Sequence, residues 1–122
     1  MKRVCVVVPA YNEATVIADV IRSAKQVFAK AKGFSIDIVV VNDGSKDNTS
    51  EEARKGGATV IDHVLNSGAG GATLTGLAYA RHNSYDIAAT MDADGQHAPE
   101  DVLNGIKQLD RDGSGLLIGS RL

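Results

Sequence analysis

The chain has 122 residues, of which 43% are hydrophobic and 23% charged, and its formal net charge at pH 7 is −2. This composition predicts a packed core rather than a disordered tail, and the 13 scattered lysines and arginines form no basic block of the kind that binds nucleic acid. A chain of this length predicts a single domain over residues 1–122.

The first apolar segment, "VCVVVPA", is too short for a membrane span, which needs about 20 residues. It runs into Tyr-Asn-Glu without a small-residue cleavage site, so it predicts a first strand rather than a signal peptide. The expected location is therefore the cytoplasm. Cys5 lies inside a valine run and is expected to be a buried, unreactive thiol.

The predicted elements alternate between strand and helix. Continuous β-branched or apolar runs predict strands over residues 4–8, 36–41, 58–63, 85–91 and 115–119. Apolar residues at helical spacing predict a first helix from about residue 14 to 28, and the pair Thr49 and Glu52 has the spacing of a capping box that opens a second helix to about residue 55. A third helix follows the segment "NSGAGGA", and Pro99 suits the first turn of a fourth.

Four strand–helix units followed by a strand predict an α/β fold with a Rossmann-like, mostly parallel, doubly wound sheet. In such a sheet, ligands bind beyond the carboxyl ends of the strands. The candidate segments are therefore those that follow each strand: "PAYNE", "NDGSKDN", "NSGAGGA", "DADGQH" and "GSR".

The segment "DADGQH" places Asp92 and Asp94 one residue apart, where two like charges repel each other. A divalent cation removes that repulsion, and oxygen ligands favour Mg²⁺ or Mn²⁺. Gln96 offers a neutral amide oxygen, while His97 is either a ligand or a bystander. The alternative interpretation is a solvated turn with Asp94 and Gly95 at its bend.

Two other segments keep two interpretations each. Asp43 is either the side chain of a local Asx-turn or a hydrogen-bond acceptor for a base or ribose. The glycines of "NSGAGGA" either expose backbone N–H groups to a phosphate or allow tight packing of helix on strand. Glu13 is either a simple first-turn acid or part of the site. Tyr11 could stack on a base, and Arg121 could meet a diphosphate.

The motifs "VVVPAYNE", "VVNDGSKDNT", "NSGAGGATLTGLAYA", "MDADGQHAPED" and "IGSR" occur in the order seen in family 2 glycosyltransferases of the GT-A fold. The chain most resembles the dolichyl-phosphate mannosyltransferases and the polyprenyl-phosphate sugar transferases. This resemblance implies an inverting transfer of a sugar from a nucleotide diphosphate-sugar, GDP-mannose or a UDP-hexose, to a polyprenyl or dolichyl phosphate. It also implies assistance by Mg²⁺ or Mn²⁺.

The resemblance also implies roles for individual residues. Asp92 and Asp94 are the expected catalytic acids of the "DXD" motif, and Asp94 and Gln96 are the expected metal ligands. Val41 and Asp43 match the positions that hold the base and ribose, and Arg121 matches the arginine that meets the donor phosphates. The expected nucleotide-sugar-binding residues are Pro9, Tyr11, Glu13, Val41, Asp43, Asp92, Ala93, Asp94 and Arg121.

The chain departs from the family in two ways. Ala69 stands where many relatives have lysine, and the family's catalytic domain continues well past the position of "GSR". The sequence thus predicts the donor-binding half of an enzyme, ending after about the fifth strand, with self-association through the edge that the other half would cover. Peripheral contact with a membrane surface is implied by the acceptor.

Three other hypotheses come from different functional classes. The first is a non-catalytic nucleotide-binding module or a fragment that depends on a partner. The second is a Rossmann protein of the NAD type, because "GAGGAT" partly imitates the dinucleotide fingerprint. The third is a metal-free, flavodoxin-like signalling domain, which leaves the paired aspartates unexplained.

Overall fold

The computed structural model describes residues 1–96, 98–113 and 116–117. Five parallel strands form one sheet in the order β3-β2-β1-β4-β5. The strands are β1 (Lys2–Ala10), β2 (Phe34–Asp43), β3 (Thr59–His63), β4 (Ile87–Thr90) and β5 (Leu116–Leu117). The helices are α1 (Ile17–Phe28), α2 (Thr49–Gly56), α3 (Gly68–His82) and α4 (Pro99–Asp112). The predicted α/β fold is confirmed.

Helices cover both faces of the sheet, because the central strands are apolar on both sides. Val4, Val6 and Val8 of β1 pack toward α1, α2 and α4, whereas Cys5 and Val7 pack toward α3. All five of these side chains are fully buried. Burial raises the pKa of the Cys5 thiol to about 12, which makes it unreactive at neutral pH.

The close approach of α3 to the sheet depends on a glycine. A Cβ at Gly76 would lie 2.1 Å from Cγ1 of Val7, nearer than two carbon atoms can pack. The backbone of α3 therefore lies directly on β1. Among the described residues, no helix is both long and apolar enough to cross a bilayer.

Several predicted boundaries were wrong. Helix α1 begins at Ile17 rather than near residue 14, and α3 begins at Gly68, within the glycine-rich segment. Strand β4 ends at Thr90, and the last residues predicted for the fifth strand lie outside the described part of the chain. The capping box is also wrong, because Thr49 is the first helical residue of α2 and its N-cap, Asn48, makes no side-chain cap bond.

The strand register brings the ends of four strands to one edge of the sheet. Ala10 pairs with Asn42, Asp43 pairs with His63, and Val7 pairs with Thr90. The loops that leave β1, β2, β3 and β4 therefore meet at the carboxyl edge, where the candidate segments were predicted to lie.

Candidate functional site

An open cavity of about 370 Å³ lies at this carboxyl edge. Its wall is built at four strand ends: by β1 with the β1–α1 loop, by the last residue of β2, by the β3–α3 loop with the first turns of α3, and by the loop after β4. The lining residues are Pro9, Ala10, Tyr11, Glu13, Asp43, Asn66, Gly68, Ala72, Asp92, Ala93 and Asp94.

Seven of the residues that the sequence predicted are in this lining: Pro9, Tyr11, Glu13, Asp43, Asp92, Ala93 and Asp94. Two others are not. Val41 is fully buried between the sheet and α3, and Gln96 is exposed beside the cavity. Arg121 and His97 lie outside the described residues. Sequence reasoning did not single out Ala10, Asn66 or Ala72.

The β1–α1 loop is held in place by the β2–α2 loop. Asn12 adopts a left-handed backbone conformation, with φ of 55°. Its N–H donates to Oγ of Ser45 at 2.8 Å, and its Oδ1 accepts from the N–H of Lys46 at 2.9 Å. This pair of bonds fixes the segment that carries Tyr11 and Glu13 into the cavity wall, and Tyr11 keeps 41% of its surface exposed.

Glu13 lies in an acidic environment. Burial raises the pKa of its carboxyl, and the negative charges of Asp94 and Asp47 raise it further. Asp47 is stabilised as an anion. The hydroxyl of Thr49 donates to its carboxylate and lowers its pKa, and the N–H groups of Ala14 and Thr49 lower it further. These hydrogen bonds outweigh burial, which acts in the opposite direction. Asp47 and Thr49 thus support the site from outside its lining, a role that the sequence analysis missed.

Asp43 is buried, with 3% of its surface exposed, yet it is strongly acidic. Burial alone would raise its pKa, but hydrogen bonds outweigh burial and lower the pKa to about 2. Its Oδ1 accepts from the N–H of Ser67 at 2.9 Å and from the Ser67 hydroxyl at 2.7 Å. Nδ1 of His63 lies 2.9 Å from the same oxygen. The local Asx-turn interpretation of Asp43 is wrong, since these donors come from β3 and the loop that follows it.

The glycines of the glycine-rich segment differ in their surroundings: a Cβ at Gly71 would lie 2.6 Å from Oγ of Ser67, whereas Gly68 and Gly70 face open space. A Cβ at Gly68 or Gly70 would meet nothing within 4 Å, so neither glycine is required by helix–strand packing. Gly68 has a φ of +83°, which favours glycine, and its N–H donates to Oδ1 of Asn66 at 2.8 Å. The packing interpretation therefore applies to Gly76, farther along α3, and not to these two glycines.

The segment after β4 forms the turn that one of the two interpretations predicted, and it also places both aspartates at the cavity. The N–H of Gln96 donates to Oδ1 of Asp94 at 3.1 Å, and Gly95 has a φ of +80°, so Asp94 does close a turn. Asp94 and Asp92 also line the cavity, together with Glu13. No lysine or arginine is among the described lining residues, so the wall carries negative charge only.

A divalent cation fits this donor set. The carboxylates of Asp92 and Asp94 are hard oxygen donors, and a cation would relieve the repulsion that raises the pKa of Glu13. Within the described ranges, no group of three or more His, Cys, Asp or Glu side chains is arranged to hold a metal by itself. The donor set therefore fits Mg²⁺ or Mn²⁺ that is bound by one or two carboxylates and takes its remaining ligands from water and a substrate's phosphates.

Comparison with known proteins gives consistent matches. The family model described as glycosyl transferase family 2 matches residues 5–122. An uncharacterised protein of Methanocaldococcus jannaschii is 44% identical over 96% of this chain and 46% of its own length. The UDP-N-acetylglucosamine–dolichyl-phosphate N-acetylglucosaminyltransferase of Methanococcus voltae is 36% identical over 99% of this chain and 53% of its own length.

Among solved structures, glucosyl-3-phosphoglycerate synthase from Mycobacterium tuberculosis, in complex with Mn²⁺ and UDP-glucose, superposes with a TM-score of 0.69 at 28% identity. The match covers 88% of this chain and 39% of that one. The chain thus spans about half the length of the curated relatives described above. With the family model covering nearly all of it, the chain belongs to glycosyl transferase family 2.

Proposed function

We propose that this chain binds a nucleotide diphosphate-sugar in the carboxyl-edge cavity, as the donor site of an inverting, metal-assisted glycosyltransferase. The observation that carries the proposal is the shared lining. Tyr11, Asp43 and Asp94 lie at the ends of three different strands, yet they border one cavity together with Glu13 and Asp92. A nucleotide diphosphate-sugar needs such a set: a surface for the base, an acceptor for its hydroxyl or N–H groups, and acids for a metal bound to its phosphates.

The nucleoside is proposed to lie between Tyr11 and Asp43. The exposed ring of Tyr11 offers an apolar face for the base, and Asp43 is ionised at neutral pH, so it accepts hydrogen bonds from ribose or base. Pro9 and Ala93 form the wall beside them. The side chain of Val41 is buried behind this wall, so its proposed contribution is the shape of the base pocket.

The diphosphate is proposed to lie toward the acidic turn after β4. Asp92, Asp94 and Gln96 would hold Mg²⁺ or Mn²⁺, which supplies Lewis-acid stabilisation of the departing nucleotide diphosphate. Asp92 and Asp94 orient that end of the donor, and the Gln96 bond to Asp94 holds the turn in shape. Arg121 remains the proposed cation for the donor phosphates.

We propose a UDP-sugar as the donor and a polyprenyl or dolichyl phosphate as the acceptor. The first is supported by the UDP-glucose in the similar synthase structure and the second by the similar dolichyl-phosphate transferase. A phosphate acceptor is ionised near neutral pH, so its attack needs no strong general base. Such an acceptor would bring the chain to a membrane surface, for which the cytoplasmic face is the predicted side. Self-association stays a prediction that size-exclusion chromatography can check.

The test is calorimetric titration of the chain with UDP and with GDP, each with and without Mn²⁺. We expect Mn²⁺-dependent binding of UDP that is lost in Asp94→Ala and kept in Asp112→Ala, a matched change at the exposed end of α4. Preference for GDP would correct the donor base. Binding without turnover of a UDP-sugar would support the alternative of a nucleotide-binding module, and no binding of either nucleotide would contradict the proposal.

A further inference from the structure

His63 ends β3, next to the cavity but outside its lining. Its side chain is 20% exposed and faces Asp43, which it meets across the β2–β3 pairing. None of the roles described above uses this imidazole. Because His63 contacts Asp43, which lines the cavity, its hydrogen bonds bear on how Asp43 is held.

The imidazole is held at both nitrogens. Nδ1 lies 2.9 Å from Oδ1 of Asp43, and because an ionised carboxylate only accepts, Nδ1 is the donor in this bond. Nε2 lies 2.9 Å from Oγ1 of Thr75 on α3. The carbonyl oxygen of Gly71 lies 3.1 Å from the same hydroxyl, so the single Thr75 proton has two acceptors within reach, Nε2 of a neutral His63 ring and this carbonyl. The ring thus bridges the end of β2 to the second turn of α3.

This bridge fixes how Asp43 presents its carboxylate. His63 and both donors of Ser67 converge on Oδ1, so that oxygen is turned toward the β3–α3 loop. The N–H of Gly68 also interacts with this carboxylate, so His63 and the β3–α3 loop together set the orientation in which Asp43 lines the cavity. If His63 were absent, the carboxylate would keep only the Ser67 loop as its anchor, and this loop is exposed.

We propose that His63 is a positioning residue of the donor site, which fixes the Asp43 carboxylate for hydrogen bonding to the nucleoside, with Thr75 fixing the ring in turn. The inference rests on the proposed function, because it requires a nucleoside at Asp43. It also has a selective consequence. A nucleoside carries the hydroxyl and N–H donors from which Asp43 can accept, whereas pyrophosphate has no base or ribose to reach Asp43. His63 should therefore affect the binding of a nucleotide and not that of pyrophosphate.

The experiment titrates the wild-type chain and its variants with UDP plus Mn²⁺ and with pyrophosphate plus Mn²⁺. His63→Ala is expected to weaken UDP binding roughly tenfold or more, the effect of a lost bond to a charged group, and to leave pyrophosphate binding unchanged. His63→Asn, whose amide N–H replaces Nδ1, should recover most of the loss. Thr75→Val should give a smaller loss, and His82→Ala at the exposed end of α3 should give none.

Two binding results would overturn the inference: UDP binding by His63→Ala equal to that of the wild type, or an equal loss for UDP and pyrophosphate. Carbon NMR of the Asp43 carboxyl adds a test without ligand, because its low pKa should rise in His63→Ala and return toward the wild-type value in His63→Asn. An unchanged carboxyl pKa also overturns the inference. A wild-type chain that binds no nucleotide contradicts the proposed function instead, and the carboxyl titration still decides whether His63 holds Asp43.

Discussion

The backbone N–H of Glu13 donates to Oγ1 of Thr49 at 3.0 Å, joining the start of the β1–α1 loop to the first residue of α2. Thr49 is fully buried, and its hydroxyl proton goes to Asp47. One hydroxyl therefore serves two loops, as an acceptor for the loop that lines the cavity and as a donor to the loop behind it. This arrangement explains why a threonine is needed where the sequence alone predicted a helix cap.

Thr49→Val keeps the shape of the side chain and removes both bonds. We expect the free energy of unfolding to fall by about 1–3 kcal/mol, because the Glu13 N–H and the Asp47 carboxylate each lose a partner. Denaturant titration measures this, with Thr59→Val on exposed β3 as the control, which should stay within about 0.5 kcal/mol of the wild type. A Thr49→Val chain as stable as the control would show that the bond network contributes nothing to stability.

Glu13 should destabilise the ligand-free fold at neutral pH. The pKa of its carboxyl is raised in the folded state, first by burial and then by the charges of Asp94 and Asp47. Its contribution to folding stability is therefore present below the pKa of the unfolded chain and is lost as the pH rises through the folded-state pKa. Glu13→Gln is therefore expected to raise Tm at pH 7 and to leave it nearly unchanged at about pH 3, where the wild-type carboxyl is protonated. Mn²⁺ should raise the Tm of the wild type more than that of the variant.

The measurement is the Tm of the wild type and of Glu13→Gln by thermal unfolding between pH 7 and about pH 3. Glu100→Gln on α4 is the matched change outside the cavity. A Tm for Glu13→Gln that falls at pH 7, or that rises equally at both pH values, would contradict the electrostatic account.

Asp43 should have the opposite pH dependence. Its folded-state pKa is about 2, below the ordinary value, so its contribution to stability is present above the unfolded pKa of about 4 and is lost as pH falls toward 2. Asp43→Asn is expected to cost about 1–3 kcal/mol at pH 7, and the difference from the wild type should shrink below about pH 4. Urea titrations at a series of pH values measure this, and a difference that is constant with pH would contradict it.

The fold could be predicted from the sequence because its central strands are continuous β-branched runs and helices α1 and α4 have clear apolar faces. Boundaries were less predictable where a loop and a helix compete for the same residues. Gly68 and Gly70 read as a loop, yet they belong to α3, because the packing of Ala72 and Gly76 on the sheet extends the helix back to them. Tertiary packing decides such a boundary, and single-sequence patterns do not contain it.

The site was predictable to the extent that it lies at strand ends. Asp43 ends β2, and Asp92 and Asp94 lie in the loop after β4, so topology alone brings them to one edge. His63 and Asp47 were missed because their roles depend on contacts between segments distant in the sequence. The one available signal was that His63 also ends a strand, in register with Asp43.

Gly76 and Gly70 lie in the same helix, α3, but in different surroundings. Gly76→Ala would place a Cβ 2.1 Å from Cγ1 of Val7, so α3 must move away from β1. We expect the free energy of unfolding to fall by about 1–3 kcal/mol. Gly70→Ala is the matched control in the same helix, since its Cβ would meet nothing within 4 Å, and alanine there should be neutral or stabilising by about 0.5–1 kcal/mol.

Both variants are compared with the wild type by denaturant titration, and UDP binding is measured on each. Because Gly70 leaves open space beside the cavity rather than supporting the sheet, Gly70→Ala should keep full stability whatever happens to nucleotide affinity. Equal destabilisation by both changes would mean that the whole glycine-rich segment serves the packing of α3. A stable Gly76→Ala chain would mean that α3 shifts on β1 at little cost, and the cavity wall formed by Gly68 and Ala72 would then be expected to shift with it.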